Sequence, residues 1–126
     1  MWFAQQCGVE PVQWDMNETK NGGPFPELLN HSVLVNCIYL SQKIPPFLTS
    51  DMIQGERKLT VFVDVSCDTT NPNNPFPIYN TGTTLFKPTL RIVEGNHPLD
   101  VIAIDHLPSL VPVEASQAFS HDLLPH

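Results

Sequence analysis

Positive charge is scarce in this chain. Its 126 residues hold 6 Lys and Arg against 13 Asp and Glu, which gives a formal net charge of -7. Proteins that follow a nucleic-acid backbone carry basic patches, and anionic lipid surfaces attract clusters of Lys and Arg. We therefore expect neither a nucleic acid nor a membrane as a partner.

Long apolar runs and paired cysteines are also lacking. The longest apolar run, Val33–Leu40, contains Asn36 and is too short to span a bilayer. The first ten residues lack the basic start and apolar core of a secretory signal. Cys7, Cys37 and Cys67 form no CxxC motif, so neither a disulfide framework nor a metal site is indicated. We expect a cytoplasmic protein, and a peroxisomal location stays open if a targeting tail follows in the full protein.

Three apolar runs predict β-strands: Val33–Leu40, Leu59–Val65 and Val101–Ile104. Their apolarity is nearly continuous, which is typical of parallel strands that helices cover on both faces. A short crossover helix is predicted within Thr49–Glu56, and the strongest helical pattern lies at Val113–Leu124. The expected fold class is therefore α/β, with a Rossmann-like, mostly parallel sheet.

Ligands of open α/β sheets bind outside the carboxyl ends of the strands. If the sheet is parallel, the loop positions at those ends converge on one crevice. They are Asp15, Tyr39 to Ser41, Asp64 to Asp68, and Asp105 with His106.

Asp15 is a candidate ribose ligand. In a dinucleotide-binding unit, an acidic residue accepts hydrogen bonds from the ribose about 20 residues after the glycine-rich turn. Counting back from Asp15 places that turn before Met1, and the chain contains no GxGxxG. We therefore expect a fragment that begins after the first strand and the glycine-rich turn. On spacing alone, the alternative that Asp15 only caps a turn stays equally open.

Nucleophilic and metal chemistry have little support in the sequence. No Gly-x-Ser-x-Gly motif surrounds Ser66, and no basic partner can be predicted for Cys67. His106 follows Asp105 at a predicted strand end, where it contacts either a ligand or only its own backbone. Four other histidines share no metal-ligand spacing with one another or with cysteine, namely His31, His97, His121 and His126.

Four segments carry a family resemblance: WDMNET at 14–19, VNCIYLSQKIPPF at 35–47, DVSCDTTNPNNPFPIY at 64–79, and IDHLPSLVPVEASQAFSHDLLP at 104–125. Together they closely resemble the NAD-dependent, lysine-forming saccharopine dehydrogenases of fungi. The resemblance implies the final step of lysine biosynthesis by the aminoadipate route. In that step, saccharopine is oxidised reversibly to lysine and 2-oxoglutarate, with NAD as the cofactor.

The resemblance also implies the ligand contacts. The residues expected to contact NAD are Asp15 and Thr19 at the adenosine ribose, Tyr39 at the adenine, Val65 at the nicotinamide, and Ile104, Asp105, His106 and Leu107 along the nicotinamide half. The residues expected to contact saccharopine are Ser66, Cys67 and Asp68. Cys67 departs from the family pattern, which commonly has Ala there, and it places a polarizable thiol beside the substrate.

No catalytic residue is expected in this chain, because the family's acid-base lysine and histidine belong to an amino-terminal domain. Residues 1–112 are expected to form a partial NAD-binding domain, and 113–126 to begin a helix that returns to the catalytic domain.

Other functions stay open at this stage, as does the oligomeric state. The chain could be a non-catalytic nucleotide-binding module, or a small proline-rich β domain that binds protein partners. Within the enzymes, a bifunctional lysine-degrading or alanine-dehydrogenase-like relative is the alternative.

Overall fold

The computed structural model describes residues 2–67 and 69–124. Four strands form one sheet: β1 (Val33–Asn36), β2 (Val61–Asp64), β3 (Leu90–Val93) and β4 (Leu99–Ile102). Their spatial order is β1-β2-β4-β3. The first three strands in that order run parallel, whereas β3 lies antiparallel to β4 at the edge. The expected α/β class and mostly parallel sheet are confirmed.

The strands are shorter than predicted, and the prediction of burial on both faces is wrong for β1. Val33 and Val35 are 53% and 57% exposed, whereas Asn36 is buried. The cause is that no helix among residues 2–67 and 69–124 covers that face of β1. The apolar side chains on this face therefore lie in solvent.

The chain has three α-helices in its described part, which are α1 (Trp2–Gln6), α2 (Met16–Thr19) and α3 (Pro112–Leu123). Three 3-10 helices cover Pro26–Asn30, Met52–Gln54 and Leu107–Leu110. No helix in the described residues is long and apolar enough to cross a bilayer.

The predicted helix near the carboxyl end is confirmed to within a residue or two at each end. Pro112 occupies its first turn, where the missing N–H costs no hydrogen bond. Within the predicted crossover helix at Thr49–Glu56, only Met52–Gln54 are helical, as a short 3-10 helix that ends at Gly55. The connection from β1 to β2 instead buries single apolar side chains, including Phe47 and Leu48, against the sheet.

A line of aromatic contacts joins distant parts of the chain into one core. Neighbouring ring centroids lie 4.8 to 6.2 Å apart. Such offset and edge-to-face pairs add stability beyond the apolar area that they bury. The rings run in the order Trp14, Phe25, Phe47, Phe76, Phe62 and Tyr79. They anchor the proline-rich loop after β2 and the segment before β1 on the same side of the sheet.

Candidate functional site

A small recess opens at the carboxyl ends of β1 and β2. Its lining combines strand-end and loop residues: Asn36, Ile38, Tyr39, Leu40, Asp64, Ser66, Asn71, Asn74 and Pro75. The parallel register, in which Asn36 pairs with Asp64, ends both strands at the same edge. Two of the predicted ligand residues, Tyr39 and Ser66, are therefore brought together, as the crevice hypothesis requires.

The turn that follows β2 is hydrogen-bonded to both of its neighbours in the sheet. The Ser66 hydroxyl donates to the carbonyl of Ile38 at 2.9 Å, beyond the end of β1. The Cys67 thiol donates to the carbonyl of Ala103 at 2.9 Å, beyond the end of β4. The turn thus bridges three parallel strands at their carboxyl edge. Because a hydroxyl accepts as well as donates, Ser66 keeps acceptor capacity for a ligand.

Cys67 and His106 both adopt left-handed backbone conformations. Their φ angles are 50° and 58°, and they are the two non-glycine residues with positive φ in the described part of the chain. Each such conformation costs on the order of 1–3 kcal/mol and is characteristically found at ligand-binding turns. Both residues are also predicted to contact a ligand, so the strained backbone lies at two of the predicted ligand-binding positions.

The segment after β4 is open to solvent. Ile104 forms an isolated parallel bridge with Thr83 and is buried. The side chains of Asp105 and His106 are 80% and 82% exposed and lie 3.4 Å apart, from Oδ2 to Nε2. Leu107 begins the following 3-10 helix. These four predicted cofactor residues therefore leave the same edge of the sheet, and the two polar ones are free to meet a ligand.

Asp15 caps α2, which is the alternative that the sequence left open. Its Oδ1 accepts from the N–H of Met16 at 2.7 Å, and Oε2 of Glu18 accepts from the N–H of Asp15 at 2.8 Å. This is a capping box, which satisfies N–H groups at the start of the helix. Thr19 is buried, and its hydroxyl donates to the carbonyl of Asp15 at 2.9 Å.

The helix cap leaves some acceptor positions of the Asp15 carboxylate unoccupied. A carboxylate has about four acceptor positions, and the side chain lies exposed at the surface. Asp15 does not follow a strand of the sheet, because Val12 to Trp14 are irregular. In the described part of the chain, the side-chain hydrogen bonds of Asp15 and Thr19 stay within α2 and its cap, and none reaches the recess. The ribose role of Asp15 stays a prediction.

Asp64, which was expected at this edge, is the centre of a polar cluster whose other members were not predicted. Asp64 is 1% exposed and accepts three hydrogen bonds. The donors are Nδ2 of Asn36 at 3.0 Å, the N–H of Cys67 at 3.0 Å and the hydroxyl of Tyr79 at 2.7 Å. In the sequence, Asn36 and Asp64 each stand out as a polar residue within an apolar run. That they lie opposite each other follows only from the register of β1 and β2. The predicted ligand Asp68 lies outside the described residues.

Parallel strands whose loops form a polar recess at their carboxyl ends are characteristic of α/β proteins, in which ligands bind at that edge of the sheet. Comparison with curated proteins finds enzymes whose sequences are similar to this chain. The chain is 57% identical to saccharopine dehydrogenase [NAD(+), L-lysine-forming] of Yarrowia lipolytica over 98% of its length. It is 53% identical to the enzyme of that name in Candida glabrata over 98% of its length, and 56% identical to that of Schizosaccharomyces pombe over 90%. No protein-family model matches the chain.

The chain is therefore similar in sequence to lysine-forming saccharopine dehydrogenases, and the resemblance carried by its four segments is confirmed. It spans about a third of the length of these relatives, namely 35%, 34% and 32%.

Proposed function

We propose that the chain forms part of the cofactor- and substrate-binding region of an NAD-dependent, lysine-forming saccharopine dehydrogenase. The observation that carries the proposal is the carboxyl edge of the sheet, where Tyr39, Ser66, Cys67 and Ile104 follow three parallel strands. The sequence relation to the curated enzymes supports the substrate, since identities of 53% and 57% extend over nearly the whole chain.

The proposed reaction is the oxidation of saccharopine by NAD. A hydride passes from carbon to the nicotinamide ring, and water then cleaves the resulting substrate imine to lysine and 2-oxoglutarate. One proton is released for each NADH formed. The residues of this chain bind and orient the reactants, whereas another part of the protein supplies the acid-base pair. The two proposed regions remain residues 1–112 for cofactor binding and 113–126 for the return to the catalytic domain.

The described side chains fit NAD. The exposed Asp15 carboxylate can accept hydrogen bonds from ribose hydroxyls while it caps α2, and its charge disfavours a 2′-phosphate. The Tyr39 ring is 69% exposed and offers a face for the adenine. Val65 is 43% exposed at the end of β2, where an apolar side chain can contact the nicotinamide. Thr19 would act through Asp15, because its buried hydroxyl holds the Asp15 carbonyl.

A reducing compartment fits the thiols. Cys7 and Cys37 are free thiols at the surface of the structure. Free cysteines are typical of the cytoplasm, where we place the enzyme in this proposal.

Binding of NAD+ to the purified chain tests the Asp15 assignment. Two lost hydrogen bonds to a carboxylate, at about 1.5 kcal/mol each, correspond to a roughly hundredfold weaker affinity. Asp15→Ala removes the carboxylate and the cap together, whereas Asp15→Ser keeps a good helix cap and removes the carboxylate. We expect both variants to weaken NAD+ binding in calorimetry, and Asp51→Ala, at an exposed acid without a side-chain cap, to leave it unchanged. Parental affinity in Asp15→Ser would reduce Asp15 to a helix cap.

A hybrid enzyme tests the activity itself. The matching segment of the Yarrowia lipolytica enzyme would be replaced by this chain, and NADH oxidation followed with lysine and 2-oxoglutarate. We expect turnover that depends on both substrates. A folded but inactive hybrid that still binds NAD+ would support a non-catalytic nucleotide-binding module and contradict the proposed function.

A further inference from the structure

Asp64 is the most deeply buried ionisable side chain near the recess. It lies at the end of β2, in register with Asn36 at the end of β1, and it is 1% exposed. A buried carboxylate is costly unless hydrogen bonds compensate for the lost water. Here three donors surround it, and no cation in the described residues forms an ion pair with it.

The three donors come from three separate segments. Asn36 belongs to β1, the N–H of Cys67 belongs to the turn after β2, and Tyr79 lies after the proline-rich loop. Oδ1 of Asp64 receives both the Asn36 amide and the Cys67 N–H, and Oδ2 receives the Tyr79 hydroxyl. The carboxylate therefore determines where the turn lies relative to the sheet and to the loop that lines the recess.

The Cys67 end of the turn is also the strained end. Cys67 has a φ of 50°, and its N–H and thiol are held by Asp64 and by the carbonyl of Ala103. The neighbouring glycine limits the space on the other side, because a Cβ at Gly82 would lie 3.3 Å from that carbonyl and 4.0 Å from the Cys67 sulfur. A strained turn persists only when its surroundings over-determine it. Asp64 supplies one of those constraints.

We propose that Asp64 is a positioning residue that holds the turn of residues 65–67 in its binding conformation, and thereby places Ser66 and Cys67 for the substrate. This assignment rests on the proposed function, since the ligand is taken to be saccharopine. Asp64 performs this role through the geometry of its hydrogen bonds and not through its charge. Asparagine can retain Oδ1 for the two N–H donors, and its amide can donate to a Tyr79 hydroxyl that has rotated.

The first measurement needs no ligand and uses the chain's own thiols. Cys67 is half-buried, whereas Cys7 and Cys37 are exposed and serve as internal references. Iodoacetamide labelling would be followed for each cysteine by peptide mass spectrometry. In Asp64→Ala we expect Cys67 to react about tenfold faster relative to the references, because loss of a buried hydrogen-bond acceptor frees the turn. In Asp64→Asn we expect a rate within about twofold of the parent, because the acceptor remains.

Two further variants separate a displaced turn from general unfolding. Arg57→Lys weakens a hydrogen-bonded side chain at the amino end of β2, far along the strand from Cys67, so it should lower the unfolding temperature without accelerating Cys67. Tyr79→Phe removes one donor and keeps the ring, so it tests the cluster even if Asp64→Ala does not fold. We expect Tyr79→Phe to accelerate Cys67 more than Arg57→Lys does.

Kinetics in the hybrid enzyme complete the test. We expect Asp64→Ala to raise the KM for saccharopine by about tenfold with a much smaller change in kcat, and Asp64→Asn to restore it. An unchanged Cys67 rate in both Asp64→Ala and Tyr79→Phe would overturn the proposal, as would an Asn variant as impaired as the Ala variant. A displaced turn with an unchanged KM would overturn the substrate role. An inactive parent hybrid would instead count against the proposed function, and the thiol rates would still decide whether Asp64 holds the turn.

Discussion

Arg57 connects the start of β2 to the start of β4, and its replacement by methionine should destabilise the chain strongly. The residue is 9% exposed. Its Nε donates to the carbonyl of Ile53 at 2.8 Å, while Nη1 and Nη2 donate to the carbonyls of Leu59 and His97. Burial lowers the pKa of Arg57 from its ordinary value, but a guanidinium stays charged at neutral pH.

The size of the effect follows from the bonds lost. Three hydrogen bonds from a charged donor, at about 1.5 kcal/mol each, give roughly 4–5 kcal/mol. Methionine avoids the cost of burying a charge and keeps apolar packing, which offsets roughly 1–2 kcal/mol of this loss. The net loss is therefore about 3 kcal/mol, or a fall in the unfolding temperature on the order of 10 °C for a chain of this size.

Urea unfolding followed by circular dichroism measures the Arg57→Met effect. Arg91→Met is the matched control, because the Arg91 side chain is 47% exposed and its ion pairs lie at the surface, so little stability should be lost. Arg57→Lys should fall between the parent and Arg57→Met, since a lysine cannot reach three carbonyls with a planar fork. A parental midpoint for Arg57→Met, or an equal loss in Arg91→Met, would refute the reasoning.

Two further predictions concern a close backbone contact and a surface ion pair. A Cβ at Gly23 would lie 2.4 Å from the carbonyl oxygen of Pro46, so Gly23→Ala should cost about 1–3 kcal/mol by urea unfolding. Gly55→Ala, whose nearest contact would be 3.5 Å, should stay near parental, and equal losses in the two would contradict the clash. The hydrogen bond and charge of Arg91 hold the pKa of Asp100 below its ordinary value of 3.8. The stability difference between the parent and Asp100→Asn should therefore be present at neutral pH and disappear as the pH falls below that value. If this stability difference instead grew on acidification, the predicted direction of the pH dependence would be wrong.

The sequence pattern was sufficient to predict those helices and strands whose formation depends mainly on residues close together in the chain. Pro112 and the periodicity after it located α3, and the β-branched runs located β1, β2 and β4. A cap at Asp15 was among the predicted alternatives, but the helix that it begins and the reciprocal bond from Glu18 were not predicted.

Elements that depend on distant partners were not predictable. β3 contains only four residues with Arg91 among them, and only its antiparallel register with β4 places Arg91 opposite Asp100. The Asp64 cluster requires the register that sets Asn36 opposite it. The exposed face of β1 was misjudged because an apolar run is the same in sequence whether or not a helix covers it.

The strand order has a consequence for folding kinetics. β2 lies in the middle of the parallel part of the sheet, and its partners are β1, at 33–36, and β4, at 99–102. Arg57 and the line of aromatic rings likewise join residues that are distant in the chain. Folding must therefore close long loops before most native contacts form, which raises the entropic barrier. We expect refolding on the millisecond-to-second timescale, with both edges of β2 paired only after both long connections have closed.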